Sequence, residues 1–140
     1  MDAWEQHFVE LWQTKRDVIA QAILNAAQRN PYLPVKEYQL DDVHQFFDGT
    51  LAMMRERLAG EGNDIWETYM ESVIPGILSQ GQPLSAFVGQ VTMNAIVLHQ
   101  ILVPASEEEH RDKISEFLTN WFVQVNSEIV KIGIAIGAKI

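Results

Sequence analysis

The chain has 140 residues, enough for one domain with a single hydrophobic core. Its formal net charge of −9 argues against binding to nucleic acids and anionic membrane surfaces, because phosphates attract an excess of Lys and Arg. The absence of cysteine excludes disulfides, thiol catalysis and thiolate metal ligands.

Helical spacing of apolar residues predicts a first helix over residues 2–28 and a second over residues 41–58. The prolines and asparagine of the segment 29–34 predict a loop between them. Gly60 and Gly62 follow the second helix, as glycine commonly does beyond a helix C-terminus. The predicted core positions are Trp4, Phe8, Leu11, Trp12, Val18, Ile19, Ala22 and Ala26 in the first helix, and Val43, Phe47, Leu51, Met54 and Leu58 in the second.

A third helix follows Asn63 or Asp64, and Pro75-Gly76 predicts a kink or a break within it. Its predicted core positions are Ile65, Trp66, Tyr69, Val73, Ile77 and Leu78. A fourth helix begins after Pro83 and ends near Pro104. Because this fourth helix is apolar on nearly every side, we expect several neighbouring helices to cover it.

The fifth helix is predicted to start at a capping box formed by Ser106 and Glu109, and to run to the end of the chain. Its core stripe comprises Ile114, Phe117, Leu118, Trp121, Val125, Ile129, Ile132 and Ile136. A second, narrower apolar stripe on the opposite side comprises Val123, Val130 and Ile134. Two stripes indicate two partners, so this second stripe predicts a dimer interface, unless its members are isolated surface residues.

The candidates for chemistry are few. None of His7, His44, His99 and His110 has the spacing of a strong metal site, so we expect no bound metal. No serine lies in a glycine elbow with a histidine and an acid, and no glycine-rich phosphate loop is present. We therefore expect no catalytic residues and no enzyme activity.

His99 is the ionisable residue of the fourth helix, and it shares a face with Leu84, Val88, Val91 and Ala95. A buried histidine in an all-α domain raises the possibility of haem ligation. Its position near the end of the fourth helix and the lack of a distal histidine argue against haem. We expect a hydrogen-bonded histidine of the core or of a pocket, and no cofactor.

The segment from Ser72 to Ala95, with Gly81-Gln82-Pro83-Leu84-Ser85-Ala86 at a helix start, resembles the centre of the N-terminal sensory domain of RsbR-type stressosome proteins. Phe8-Val9-Glu10-Leu11-Trp12 is similar to the aromatic opening of that domain. Ile114 to Ile129, with Asn126-Ser127-Glu128-Ile129, is similar to its long final helix. The resemblance covers almost the whole chain and is mainly a pattern of apolar spacing.

This resemblance implies a globin-like, all-α fold that has lost haem, a homodimer, and a role in stress sensing with other stressosome or signalling proteins as partners. In the family a STAS domain usually follows. The chain contains none, so it is either an excised sensory domain or a stand-alone relative.

Two functions from different classes follow from these observations. The first is a dimeric, non-enzymatic signalling domain that passes a stress signal through its last helix. The alternative is a sensor or carrier that binds a small molecule or haem near His99. The sequence contains neither a signal peptide pattern nor a run of about 18 apolar residues, so we expect a cytoplasmic protein without membrane contact.

Overall fold

The computed structural model describes residues 1–31 and 38–140, and their regular structure is entirely helical, as predicted. Part of the predicted loop, Tyr32-Leu33-Pro34, lies outside the described residues. The α-helices are α1 (Ala3–Thr14), α2 (Arg16–Arg29), α3 (Leu40–Leu58), α4 (Asp64–Thr68), α5 (Ile74–Ser79), α6 (Leu84–Ala105) and α7 (Arg111–Ala135). A π-helical segment (Tyr69–Val73) joins α4 to α5, and a 3-10 turn (Glu108–His110) precedes α7.

The first predicted helix is divided at Lys15 into α1 and α2. Asp2 opens α1, and its backbone N–H donates to the Glu5 carboxylate at 2.8 Å, as a capping box requires. The break changes which residues face the core. Val18, a predicted core residue, is 53% exposed, while Ile23 of α2 is buried.

The third predicted helix is continuous in path but irregular in hydrogen bonding. The π-helical segment adds one residue to a turn, and Pro75 then occupies the first turn of α5, where its missing N–H costs little. The π-helical segment precedes Pro75, whereas the sequence predicts the kink or break at Pro75-Gly76. As a result, the predicted core residue Val73 is 42% exposed, and Met70 and Ile74 are buried instead.

α7 is the long C-terminal helix that the sequence predicts, and it packs mainly against α6. Gly133 allows the close approach, because a Cβ at this position would lie 2.8 Å from Leu84 Cδ1. The predicted capping box of Ser106 and Glu109 does not form. Since α6 continues to Ala105, the Ser106 hydroxyl donates to the Leu102 carbonyl at the end of that helix.

Beyond α7 the chain turns at Gly137, whose φ of 68° suits glycine. The tail then returns to the start of α6. The Lys139 carbonyl accepts a hydrogen bond from the Leu84 N–H at 2.7 Å, and the Ile140 carbonyl accepts one from the Ser85 hydroxyl at 2.7 Å. Pro83, the N-cap of α6, has no acceptor side chain, so the tail satisfies donors that would otherwise lack a protein partner.

α6 contacts α1, α2 and α7, yet it is not covered on all sides as the sequence predicts. Ile96 on its outward side is 52% exposed. Among the described helices, α6 is the one long and apolar enough to cross a membrane by length and composition, a property that core helices of soluble proteins share. Its buried side packs into the helical core, with Leu98 and Leu102 fully buried.

Candidate functional site

The outward sides of α6 and α7 form a shallow apolar groove of about 350 Å³. Its lining residues are Thr92, Ala95, Ile96, His99 and Gln100 from α6, and Thr119, Phe122, Val123 and Asn126 from α7. Val130 and Ile134 extend it along α7, because they recur on the same side of the helix as Val123. We call the groove and these two residues the α6–α7 face.

All three residues predicted to form a dimer interface are accessible, and one of them, Val123, lines the groove. Val123 is 64% exposed, Val130 36% and Ile134 70%. Ile96 adds a fourth large apolar side chain from α6, which the sequence pattern did not single out. Exposed apolar residues that share a face differ from scattered ones, because contiguous patches mark sites of association.

The lining of the groove is also uncharged. Charged residues make up 21% of the chain, and the described residues that line the groove include no Asp, Glu, Lys or Arg. The exposed Glu116, seven residues before Val123, and the exposed Lys131, beside Val130, border the face along α7. Two copies of a chain with net charge −9 repel each other at long range.

His99 lies half-buried at the edge of the groove, with both ring nitrogens hydrogen-bonded. Nδ1 lies 3.0 Å from the Ala95 carbonyl, and Nε2 lies 3.2 Å from Thr119 Oγ1 and 3.3 Å from the Ser115 carbonyl. The neutral tautomer protonated at Nδ1 donates to the Ala95 carbonyl and accepts from the Thr119 hydroxyl at Nε2, and the tautomer protonated at Nε2 donates to the Ser115 carbonyl or to Thr119 instead. His99 therefore ties α6 to α7, and metal ligation through Nε2 would break that link.

A second cavity, of about 360 Å³, lies on the other side of α6. Its buried lining residues are Ile23, Leu24 and Ala27 of α2, Val43 and Phe47 of α3, and Phe87, Val91 and Asn94 of α6. Tyr38, Asp42, Phe46 and Gln80 are exposed and form its rim. Tyr69, Ile77, Gln82 and Gln90 complete the described lining. Sequence reasoning missed this cavity.

Asn94 is the polar group on the buried side of this cavity. The residue is 3% exposed, and its Oδ1 atom has no hydrogen-bond partner among the described residues. A buried acceptor without a partner is costly, and native structures contain few. Tyr69 lines the same cavity. Burial raises the pKa of Tyr69 to about 12, and the neighbouring Tyr38 contributes to the shift.

α6 lies between the cavity and the α6–α7 face. Val91 and Asn94 line the cavity, while Thr92, Ala95 and Ile96, which alternate with them along the helix, line the α6–α7 face. A displacement of α6 that changes the cavity therefore also changes the face.

The fold also brings together two histidines that are distant in sequence. The rings of His7 and His110 lie 5.2 Å apart, and His7 Nε2 accepts a hydrogen bond from the Glu107 N–H at 3.1 Å. Glu107, Glu109 and His110 place ligand atoms within 4.8 Å of one another. Ion-pair distances of 3.7–3.9 Å between His110 and the two exposed carboxylates account for this cluster at the protein surface.

Comparison of the chain with protein-family models, with curated proteins and with solved structures gives no match. The site must therefore be interpreted from its own geometry.

Proposed function

We propose that this chain is a non-enzymatic, homodimeric sensory domain that dimerises through the α6–α7 face. The observation that carries the proposal is the composition of that face. Val123 and Ile96 are exposed in a groove whose described lining has no charged residue, and Val130 and Ile134 are exposed farther along the same side of α7, in a strongly acidic chain. A second copy is the partner that fits best, because a two-fold axis places each patch against its own equivalent.

Burial of exposed apolar side chains is the term that favours association. Complete burial of one large apolar side chain contributes about 1.5–3 kcal/mol, less whatever the single chain already buries. Val123 and Ile134, at 64% and 70% exposed, have the most to gain. The Gln100 amide supplies hydrogen-bonding groups without the desolvation cost of a charge.

A sensory role is supported by the arrangement of α6 and α7 and by the resemblance to RsbR-type domains. Both helices have one side in the core and the other on the α6–α7 face, so a shift in the core is transmitted to the dimer through the helix itself. In this proposal the domain is of the globin-like, non-haem type. It acts in the cytoplasm, and its partners are other stressosome or signalling proteins.

The assignment as non-enzymatic is supported by the hydrogen-bond partners of three hydroxyl groups. The Ser106 hydroxyl donates to Leu102, and the Ser85 hydroxyl donates to Ile140. Thr119 contacts His99 on an open helical surface, without an acid that orients the ring. Nucleophilic catalysis requires a base oriented by a third group.

The variant Val123→Glu/Ile134→Glu tests the proposal. We expect the unaltered chain to be a dimer at micromolar concentration by light scattering, and the variant to be a monomer with unchanged helical circular dichroism. Both substituted side chains are mostly exposed in the single chain, so the fold tolerates the change.

Val18→Glu/Val73→Glu is the matched control, because it adds the same charge at exposed apolar positions of α2 and the π-helical segment, away from the α6–α7 face. This control should remain dimeric. A monomeric unaltered chain, or a Val123→Glu/Ile134→Glu variant that stays dimeric, would contradict the proposal.

A further inference from the structure

We infer that acid dissociates the dimer by protonating His99, so that association through the α6–α7 face responds to pH. The inference rests on the proposed function, because it supplies the regulation of the proposed dimer interface. His99 is the one ionisable side chain in the described lining of the groove, where the other residues are apolar or neutral and polar. Histidine is also the residue whose charge ordinarily changes between pH 5 and 8.

In the single chain, the half-buried His99 ring can take up a proton without losing a hydrogen bond. Nδ1 lies 3.0 Å from the Ala95 carbonyl, and Nε2 lies 3.3 Å from the Ser115 carbonyl and 3.2 Å from Thr119 Oγ1. All three oxygens are acceptors, so both N–H groups of the protonated ring have a partner. The groove is open, so solvent also stabilises the charge.

In the dimer the same charge loses its contact with solvent. A second copy on the α6–α7 face covers the groove, and a two-fold axis places an equivalent uncharged groove beside it. Among the described residues, His99 is hydrogen-bonded to two carbonyls and a hydroxyl and to no carboxylate. A buried charge without a counter-charge is costly. Protonation therefore destabilises the dimer more than the single chain, and by linkage it weakens association.

The charged groups nearest to the ring in sequence lie outside the groove. α6 contains no ionisable residue other than His99. On α7, which supplies the described facing wall, Asp112, Lys113 and Glu116 are exposed neighbours of Ser115. A carboxylate of Glu116 from the second copy, placed against the protonated ring, would reverse the sign of the effect. The variant Glu116→Gln is therefore part of the test.

Acid has the opposite effect on the rest of the molecule, which makes the sign of the result decisive. Lower pH protonates His7, His44 and His110, which do not line the groove. It thereby reduces the negative charge through which two copies repel each other. Without a contribution from His99, association should strengthen in acid. Ordinary Asp and Glu side chains remain mainly ionised at about pH 5.5, so that pH leaves most carboxylate contacts in place.

The dimer dissociation constant, measured by analytical ultracentrifugation at about pH 7.5 and 5.5 and constant ionic strength, tests the inference. For the unaltered chain we expect an increase of roughly tenfold or more in acid, a usual size for coupling between two binding events. In His99→Gln, whose amide donates and accepts without titrating, the constant should fall or stay the same. His44→Gln is the matched control, because His44 lies on α3 outside the groove. It should retain the increase, as should Glu116→Gln.

Dilution calorimetry provides a readout that needs no variant. In buffers of different ionisation enthalpy, dissociation should take up protons, whereas mutual repulsion alone would make it release them. Circular dichroism should show that the dissociated chains keep their helices at the lower pH.

Several results would overturn the inference: a dissociation constant that is equal or smaller in acid, an increase that persists in His99→Gln, proton release on dissociation, or loss of helix at the lower pH. A chain that is monomeric at the higher pH would refute the proposed dimer as well. A dimer with a constant that does not rise in acid would refute the inference alone.

Discussion

The guanidinium carbon of Arg57 lies 4.5 Å from the ring centroid of Trp121. It also lies 4.7 Å from the ring of Trp66, which packs edge to face on Trp121 at 5.2 Å. Arg57 donates to Gln124 Oε1 at 2.7 Å and to Asn63 Oδ1 at 3.1 Å. One cation thus connects the end of α3, the start of α4 and the middle of α7.

Arg57→Ala should lower the free energy of unfolding by about 2 kcal/mol, because it removes two cation–π contacts and two hydrogen bonds. Arg57→Lys should have an intermediate effect, since an ammonium group lacks the planar fork that serves both tryptophans and both acceptors. Urea denaturation measures the change. Arg55→Ala, at an exposed position of the same helix, is the control and should stay within about 0.5 kcal/mol of the unaltered chain. Equal losses at both positions would refute this account.

The phenol of Tyr69 should ionise only near pH 12, since burial raises its pKa from 10.0 to about 12. The raised pKa means that the folded state disfavours the phenolate. Its contribution to stability is therefore complete below pH 10 and is lost as the pH rises toward 12. Ultraviolet absorbance titration should show a late step that Tyr69→Phe removes. The variant should also lose less stability over that alkaline interval, and a parallel loss in both proteins would contradict the assignment.

Gly133→Ala should destabilise the fold by about 1–2 kcal/mol, because the added Cβ comes within 2.8–2.9 Å of the buried Leu84 methyl groups. In the Leu84→Ala background the space is free, so the same substitution should become neutral or stabilising by up to about 1 kcal/mol through helix propensity. A double-mutant cycle in urea measures the coupling. Additive effects would mean that the contact between α6 and α7 adjusts without cost.

Haem should bind neither the unaltered chain nor His99→Ala. Ligation of iron through Nε2 would cost the hydrogen bond from Thr119, and the ring lies in a shallow groove rather than in an enclosed pocket. Absorbance after addition of haem provides the measurement. A Soret band at one haem per chain that disappears in His99→Ala would support the alternative sensor or carrier function.

The sequence predicts the helical class and most of the core of the last helix, because α7 is one uninterrupted helix whose period stays constant. The prediction that this helix runs to the end of the chain is wrong, since α7 ends at Ala135 and the predicted core residue Ile136 is 44% exposed. Ile114, Leu118 and Ile129 are fully buried, as expected. The predicted core positions are wrong where a break in the helix interrupts the 3.6-residue period of apolar residues. Beyond Lys15 the core stripe moves, and Val18 becomes exposed. Residue spacing alone does not locate such a break, since no proline or glycine marks it.

The exposed apolar residues could be predicted only in part. The exposure of Val123, Val130 and Ile134 follows from their spacing on α7, but Ile96 belongs to a helix that is apolar on nearly every side, so no stripe distinguishes it. Asn94, unlike Ile96, is a polar residue in a mostly apolar helix. Spacing along α6 does not show that it lines a cavity, because α2 and α3 form the other walls.

The return of the tail to α6 has a consequence for hydrogen exchange. The amide protons of Leu84 and Ser85 are held by the carbonyls of Lys139 and Ile140, so they exchange with solvent only when the tail detaches. Gln82, two residues before Leu84, lines the cavity. The exchange rates of these two amides thus give a local opening free energy for the junction of α6 with the chain end, measured without any substitution.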